Sequence, residues 1–387
     1  MMDDYRKVNP VLRKVMARIY QKRRPLRQDQ LAIMRTERVN NRAFCEVWFM
    51  TGGCSHDAKG GCTMCNYGKG HRFPDELVLS KLKEKLALLP NELEELIVTP
   101  TGSMLDDYEV SPKFRESILN MLVPLHCQDF FVETRADTIS HEKLEQLKQL
   151  TNARRINIEI GIECLDPWVL RNCVNKNMDL DNVRRALDLI HSNGMYACAN
   201  IGVGIPMLTE HYGIQLASWS LKQAFEMGFD NAVLFPYHVK PGTLSAKLYE
   251  SGMYQCCSLW ALPEVIASIP QKYRSRVAIS WYRNYYDDPT KVISSPGLCL
   301  DCGEEVLQLL DEYKNHPGTT ALEPLIRYEC ACRDTWRQQL AQQKCGIDFA
   351  QVSHIYEYLA QQFGISKQEL DDEIAYMYQT MEVDHDA

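Results

Sequence analysis

Three cysteines crowd together at Cys54, Cys62 and Cys65, within the stretch Met50–Tyr67, MTGGCSHDAKGGCTMCNY. Thiolates are soft ligands. Three of them can hold three irons of a cubane [4Fe–4S] cluster, which usually takes four cysteines. The stretch holds no fourth cysteine, so the remaining iron would be open to a small molecule. A single zinc ion is the competing reading. It needs a fourth ligand, which His56 or His71 could supply. A disulfide is disfavoured in a chain with no secretory signal.

A second group lies far downstream, Cys299-Leu-Asp-Cys302 and Cys330-Ala-Cys332. Four soft ligands make one full tetrahedral zinc set, and they could equally hold an auxiliary iron–sulfur cluster or remain free thiols. The other eight of the fifteen cysteines show no such grouping, and adjacent Cys256 and Cys257 read as packing residues. If all seven grouped cysteines were structural, the chain would be a zinc-binding adaptor without catalysis.

Positioning these ligands falls to alternating elements. Cys45–Phe49 alternates apolar and polar residues and reads as a strand delivering the Cys54 loop at its C-terminal end. Strands are then expected at 93–100, 129–134, 155–161, 196–203 and 231–237. Helices are expected at 76–89, 114–123, 141–150, 180–192, 213–227 and 243–251, with Ser140 capping the third. Six strand–helix pairs over about 43–251 imply a parallel sheet with right-handed crossovers, and a partial (β/α)₆ TIM-like barrel more readily than a closed eight-fold one. Its chemistry is expected at the C-terminal ends of the strands, where the three cysteines and the other polar clusters fall.

Around this barrel (43–251) we expect a basic helical extension over 1–42, with helix from 10 to 36 interrupted at Pro25. A cysteine-bearing module is expected over 252–347, and a helical tail over 348–387 with Ser366 and Glu369 forming a capping box. Trp281-Tyr-Arg-Asn-Tyr-Tyr286 could stack a base or a sugar, or simply be core.

Composition bounds the class. The chain has 387 residues, 45% of them apolar, and a net charge of −8. No stretch has the length and apolarity of a membrane span and the N-terminus lacks a signal-peptide core, so a reduced, cytoplasmic setting is expected. Residues 1–42 hold twelve Lys/Arg against four Asp/Glu, leaving an acidic main body. A basic arm can track phosphates, whereas an acidic body is a poor nucleic-acid groove.

Taken together, Gly61-Cys-Thr-Met-Cys-Asn-Tyr, Thr99-Pro-Thr-Gly-Ser-Met-Leu-Asp106, Glu133-Thr-Arg-Ala-Asp137, Gly161-Ile-Glu-Cys-Leu-Asp166, Asn200-Ile-Gly-Val-Gly-Ile-Pro206 and Pro241-Gly-Thr-Leu resemble the radical S-adenosylmethionine (SAM) superfamily. The likeness is to the branch that includes the elongator-complex catalytic subunit, and within it to the archaeosine-forming enzymes. One departure is the seven-residue first gap between cysteines, where three is commonest in the superfamily. The resemblance implies a SAM-cleaving enzyme in which Cys54, Cys62 and Cys65 hold the cluster and SAM chelates the open iron. It implies that Met64 meets adenine and that Thr101, Gly102 and Ser103 meet the methionine amine. Arg135 would meet the SAM carboxylate, Glu133 a ribose or amine, and Glu163 the ribose. Asn200 and the turn holding Gly204 would lie at the adenine, and Tyr237 and His238 at the substrate mouth. It further implies an electron donor such as a flavodoxin or ferredoxin, and hydrogen-atom abstraction from substrate. The acidic body favours a small-molecule substrate (a sugar, nucleoside or amino acid derivative). The likeness to the archaeosine-forming enzymes points instead to a modified nucleobase in tRNA.

Overall fold

A computed structural model describes residues 8–20, 30–39, 42–57, 60–67, 72–90, 92–176, 178–284 and 291–384. Among these, eight strands form one sheet in sequence order: β1 Ala32–Val39, β2 Arg42–Phe49, β3 Glu92–Pro100, β4 His126–Thr134, β5 Asn152–Glu163, β6 Tyr196–Val203, β7 Asn231–Pro236 and β8 Val277–Ile279. β1 pairs antiparallel with β2, and every later neighbour is parallel. The result is a curled half-barrel.

Helices cover its outside. α1 is Pro10–Tyr20, α2 Asp75–Leu86, α3 Pro112–Leu122 and α4 His141–Gln149. A short turn, α5 Pro167–Val169, runs into a π-helical segment, Leu170–Val174, and then come α6 Leu180–Ser192, α7 Glu210–Met227 and α8 Leu244–Glu250. Beyond the barrel lie α9 Ala261–Ser268, α10 Gln271–Arg274, α11 Gly303–Asn315, α12 Thr319–Arg327, α13 Ala331–Ala341, α14 Phe349–Phe363 and α15 Lys367–Asp384.

Local chemistry sets these boundaries. Ser111, Ser140, Thr209 and Thr243 each accept a backbone N–H at a helix start, and Gly228 closes α7 in the left-handed conformation. Ser366 and Glu369 make the expected reciprocal capping bonds. One large core fills the space between the sheet and its helices. A second joins α1, the π-helical segment, α14 and α15. There Asn9 caps α1 through Leu12 N–H at 2.9 Å, and its side-chain nitrogen lies within hydrogen-bond distance of Tyr356, Glu373 and Asn172.

Two expectations need correction. Helix was expected as far as residue 36, but Ala32–Val39 is a strand. The helical spacing of apolar residues ends at Leu31, and the segment gains a full antiparallel partner in β2, with Arg35 opposite Glu46. The region 252–298 was read without a strand, yet it contributes β8, a segment too short to show alternation. Among the described residues, no helix is long and apolar enough to cross a membrane.

Candidate active site

The inside of the half-barrel holds a cavity of about 1090 Å³. Cys54, Cys62, Met64 and Cys65 line it, as do Gly102, Ser103, Glu133, Arg135, Glu163, Asn200, Tyr237 and His238. The loop after β2 is folded by specific contacts. Gly53, Gly60 and Gly61 take positive φ values of 93°, 126° and 71°, which only glycine adopts cheaply. Asn175 donates to the Gly61 carbonyl at 2.7 Å, and Thr63 donates to the Cys173 carbonyl at 2.6 Å. The peptide N–H of Tyr67 points at Cys65 Sγ, 3.4 Å away. Burial pushes the thiols of Cys54 and Cys62 up, so a metal must displace their protons to bind.

Three thiols of one loop therefore open on one cavity. Among the described residues, the group of potential ligands whose atoms all lie within 4.8 Å of one another is the C-terminal cysteine set, and these three do not join it. A cubane binds each thiolate to a different iron and holds the sulfurs further apart than one ion does. Three soft, cavity-facing and separated thiols thus fit a cluster with one open iron. His56, a candidate zinc ligand, has Nε2 2.8 Å from the Asn175 carbonyl, and His71 lies outside the described residues.

Arg135 is already engaged. It donates to Asp106 at 3.0 Å, to both oxygens of Asp137 and to Ser55 at 2.9 Å. Asp106 also accepts from Ser55 N–H at 3.1 Å. The guanidinium thus ties the strand ends to the residue beside Cys54, and it does not pair with Glu133. Gly102 is small for a structural reason. A Cβ there would lie 2.0 Å from Glu109 Oε1. Glu109 accepts from Thr51 and from Ser103 N–H at 2.7 Å, and burial pushes its carboxyl up to about 7. Thr101 is buried and does not line the cavity. Gly204 has φ 85°, and its carbonyl accepts from Tyr254 at 2.7 Å; it too lies off the cavity wall.

Glu163 sits where β5 slips register against β6, with φ 67°. A bulge re-aims a side chain, and a left-handed non-glycine residue costs energy that the surroundings must supply. Here Lys176 bonds Glu163 at 3.2 Å and the Gly161 carbonyl at 2.5 Å, and the Tyr237 hydroxyl donates to Glu163. His238 is buried with both ring nitrogens used. A carbonyl can only accept, so Nε2 carries the proton toward Trp281 O at 2.6 Å, and Nδ1 accepts from Ser295 at 3.0 Å. Burial lowers its pKa, which keeps it neutral. His238 thereby holds the Trp281 backbone, with no nitrogen left for proton transfer.

Below the strand ends the wall is acidic. Glu133 and Glu159 are register partners on β4 and β5, while Glu46 and Glu95 face inward from β2 and β3. Glu133 accepts from Thr99 at 3.4 Å and Glu159 from Asn200 at 3.2 Å. Among the described residues, neither forms an ion pair. The Asn200 Oδ1 atom is buried and has no partner. Burial, reinforced by neighbouring carboxylates, pushes Glu133 and Glu159 up, and Glu95 to about 8. Trp48, Tyr67, Phe131 and Trp281 supply aromatic surface in the same cavity, with Lys240 over the rings of Tyr67 and Trp281. Tyr285 and Tyr286 of the expected aromatic cluster lie outside the described residues. Tyr282 and Arg283 turn instead to Asp311.

The structure also gathers the second cysteine group, with Cys299–Cys302 at 3.4 Å, Cys299–Cys330 at 3.7 Å and Cys302–Cys332 at 3.5 Å between sulfurs. Sequence reasoning missed Lys176, Glu159, Glu46, Glu95 and Lys240. Lys176 stands in a loop with no pattern. The acids were hidden because a lone Glu inside a strand reads as a solvated face, and only the curl of the sheet turns that face inward.

Residues 48–219 match the family model described as the Radical SAM superfamily. The chain is 23% identical to archaeosine synthase subunit beta of Methanosarcina acetivorans, over 86% of this chain and 96% of that protein. It is 23% identical to the protein of the same name from Thermococcus kodakarensis, over 71% and 84%. Among solved structures, methylornithine synthase is similar at 14% identity, with a TM-score of 0.47 covering 81% of this chain and 91% of that one. Residues 48–219 are thus a radical SAM domain, the part of this enzyme that uses a [4Fe–4S] cluster and SAM.

Proposed function

We propose that this enzyme acts on a nucleobase of tRNA, with Cys54, Cys62 and Cys65 holding the cluster. One observation carries the substrate class. The likeness to archaeosine synthase subunit beta runs nearly end to end, well beyond the radical SAM domain. The cluster and SAM, when bound, supply a 5′-deoxyadenosyl radical able to take a hydrogen atom from an unactivated C–H bond.

This chain's residues bind and orient. Met64 packs beside the cysteine loop, where adenine is expected, and Asn200 borders the same space. Gly102 and Ser103 face the methionine amine. Glu163, held by Lys176 and Tyr237, presents a carboxylate to the ribose hydroxyls. Arg135 acts as a positioning residue for the Cys54 loop through Ser55 and Asp106. The aromatic walls suit a flat base, and the carboxyl groups of Glu133 and Glu159, which form no ion pair among the described residues, together with the unpartnered Asn200 Oδ1, suit a substituent rich in N–H donors. Enclosure in the half-barrel keeps water from the reacting carbon. The electron comes from a flavodoxin- or ferredoxin-like donor.

A small-molecule substrate is the second reading. The net charge of −8 favours it, because phosphate binding depends on cationic surface. The test uses anaerobically reconstituted enzyme, unmodified and precursor-bearing tRNA, and 5′-deoxyadenosine release. Binding that weakens steeply with salt, with release that depends on tRNA, supports the proposal. No tRNA binding at low salt, with turnover of a free nucleoside or amino acid derivative, sinks it.

A further inference from the structure

Cys299, Cys302, Cys330 and Cys332 lie outside the radical SAM domain, and the proposed chemistry does not use them. Their four ligand atoms all lie within 4.8 Å of one another. One ion bound to four sulfurs at about 2.3 Å sets neighbouring sulfurs about 3.8 Å apart in a tetrahedron. The observed separations of 3.4, 3.7 and 3.5 Å are close to that value. A cubane would occupy the centre with eight atoms and force the sulfurs well apart. Among the described residues no histidine or carboxylate joins the set, and four thiolates leave no open coordination position. The buried indole of Trp260 has Nε1 3.4 Å from Cys332 Sγ, an N–H aimed at a ligand sulfur.

The placement gives the site a purpose. Cys302 immediately precedes α11, and Cys330 immediately precedes α13. At the far end of α11, Lys314, Asn315, His316 and Pro317 line the same cavity as Tyr196, Asn231 and Arg276, which mark the N-terminal ends of β6 and β7 and the residue before β8. Tyr313 fastens that end by donating toward the carbonyls of Arg274 and Val277, at 2.9 and 3.0 Å.

We propose that Cys299, Cys302, Cys330 and Cys332 bind one mononuclear structural zinc ion, and that this ion anchors the helix that floors the barrel. Metal analysis and zinc-edge absorption spectroscopy of anaerobically purified, full-length protein test it. About one zinc per chain, with a shell of four sulfurs at about 2.3 Å, is expected beside about four irons. The double variant Cys330→Ser/Cys332→Ser should lose at least tenfold in zinc occupancy and keep its iron. Its amide exchange should quicken at 303–317 while the strands stay protected. Protein without zinc, iron near eight per chain, or a zinc shell containing nitrogen or oxygen would overturn the proposal. Should the double variant not fold, the wild-type metal count and sulfur shell still decide. Unchanged exchange at 314–317 in a folded, zinc-free variant would overturn the anchoring role.

Discussion

Gly102→Ala tests whether the turn after β3 is shaped by Glu109. A methyl group at residue 102 would stand 2.0 and 2.2 Å from the two Glu109 oxygens, so the carboxylate must leave its seat. It would then lose its bonds from Thr51 Oγ1 and Ser103 N–H. Hydrogen bonds to a charged group contribute about 1.5–3 kcal/mol each, so at a pH well above the Glu109 pKa of about 7, and after partial relaxation, the loss should be about 3 kcal/mol. No strained φ at Gly102 adds to that cost. The assay is urea unfolding of reconstituted protein in four backgrounds: wild type, Gly102→Ala, Glu109→Ala and the double variant. With the carboxylate already gone, Gly102→Ala should cost less than about 1 kcal/mol, a coupling of about 2 kcal/mol. Equal costs in both backgrounds would refute the reasoning.

Other expectations follow from the same geometry. The inward acids have folded pKa values raised above the unfolded value of about 4.3, so the folded state binds more protons. Stability should therefore fall as pH rises from about 4.5 and level off only about one pH unit above 8, once Glu95 has ionised. Glu159→Gln should make that slope shallower, and urea midpoints at pH 5.5 and 8 that fall as steeply as in wild type would contradict it. Tyr237→Phe keeps the ring packed on Gly202 but removes the hydroxyl from Glu163. 5′-Deoxyadenosine formation should drop about tenfold, equal to about 1.4 kcal/mol, with the melting temperature nearly unchanged; full activity would show that the contact is only structural. Asn9→Ala removes the α1 cap and a buried donor to the C-terminal helices. It should lower stability by about 3 kcal/mol in thermal or urea unfolding, and a cost below 1 kcal/mol would show that solvent replaces those bonds.

The sequence carried the elements that have period and punctuation. Alternation marked β2, and Ser140 marked the start of α4. The strand-end motifs marked the cavity rim because a parallel half-barrel brings those ends together. β8 was illegible because three residues carry no period, and β1 because its identity depends on a partner strand. Arg135 shows a different limit. Its residue type suggested a carboxylate partner, but sequence cannot say that Asp106 and Asp137 already fill that role. Lys176 and the inward acids become visible only when the sheet's curl gives each strand an inside.

The two rims of the sheet, β1 and β8, do not pair with each other among the described residues. Trp48 of β2 and Trp281, two residues beyond β8, meet at 5.8 Å between ring centroids, and Lys240 lies 5.4 Å from the Trp281 ring. Such ring contacts are worth about 1 kcal/mol, far less than a row of strand hydrogen bonds. The wall is a hoop with a clasp. Among the described residues, parting these rings would disturb side-chain contacts and leave every strand pairing intact.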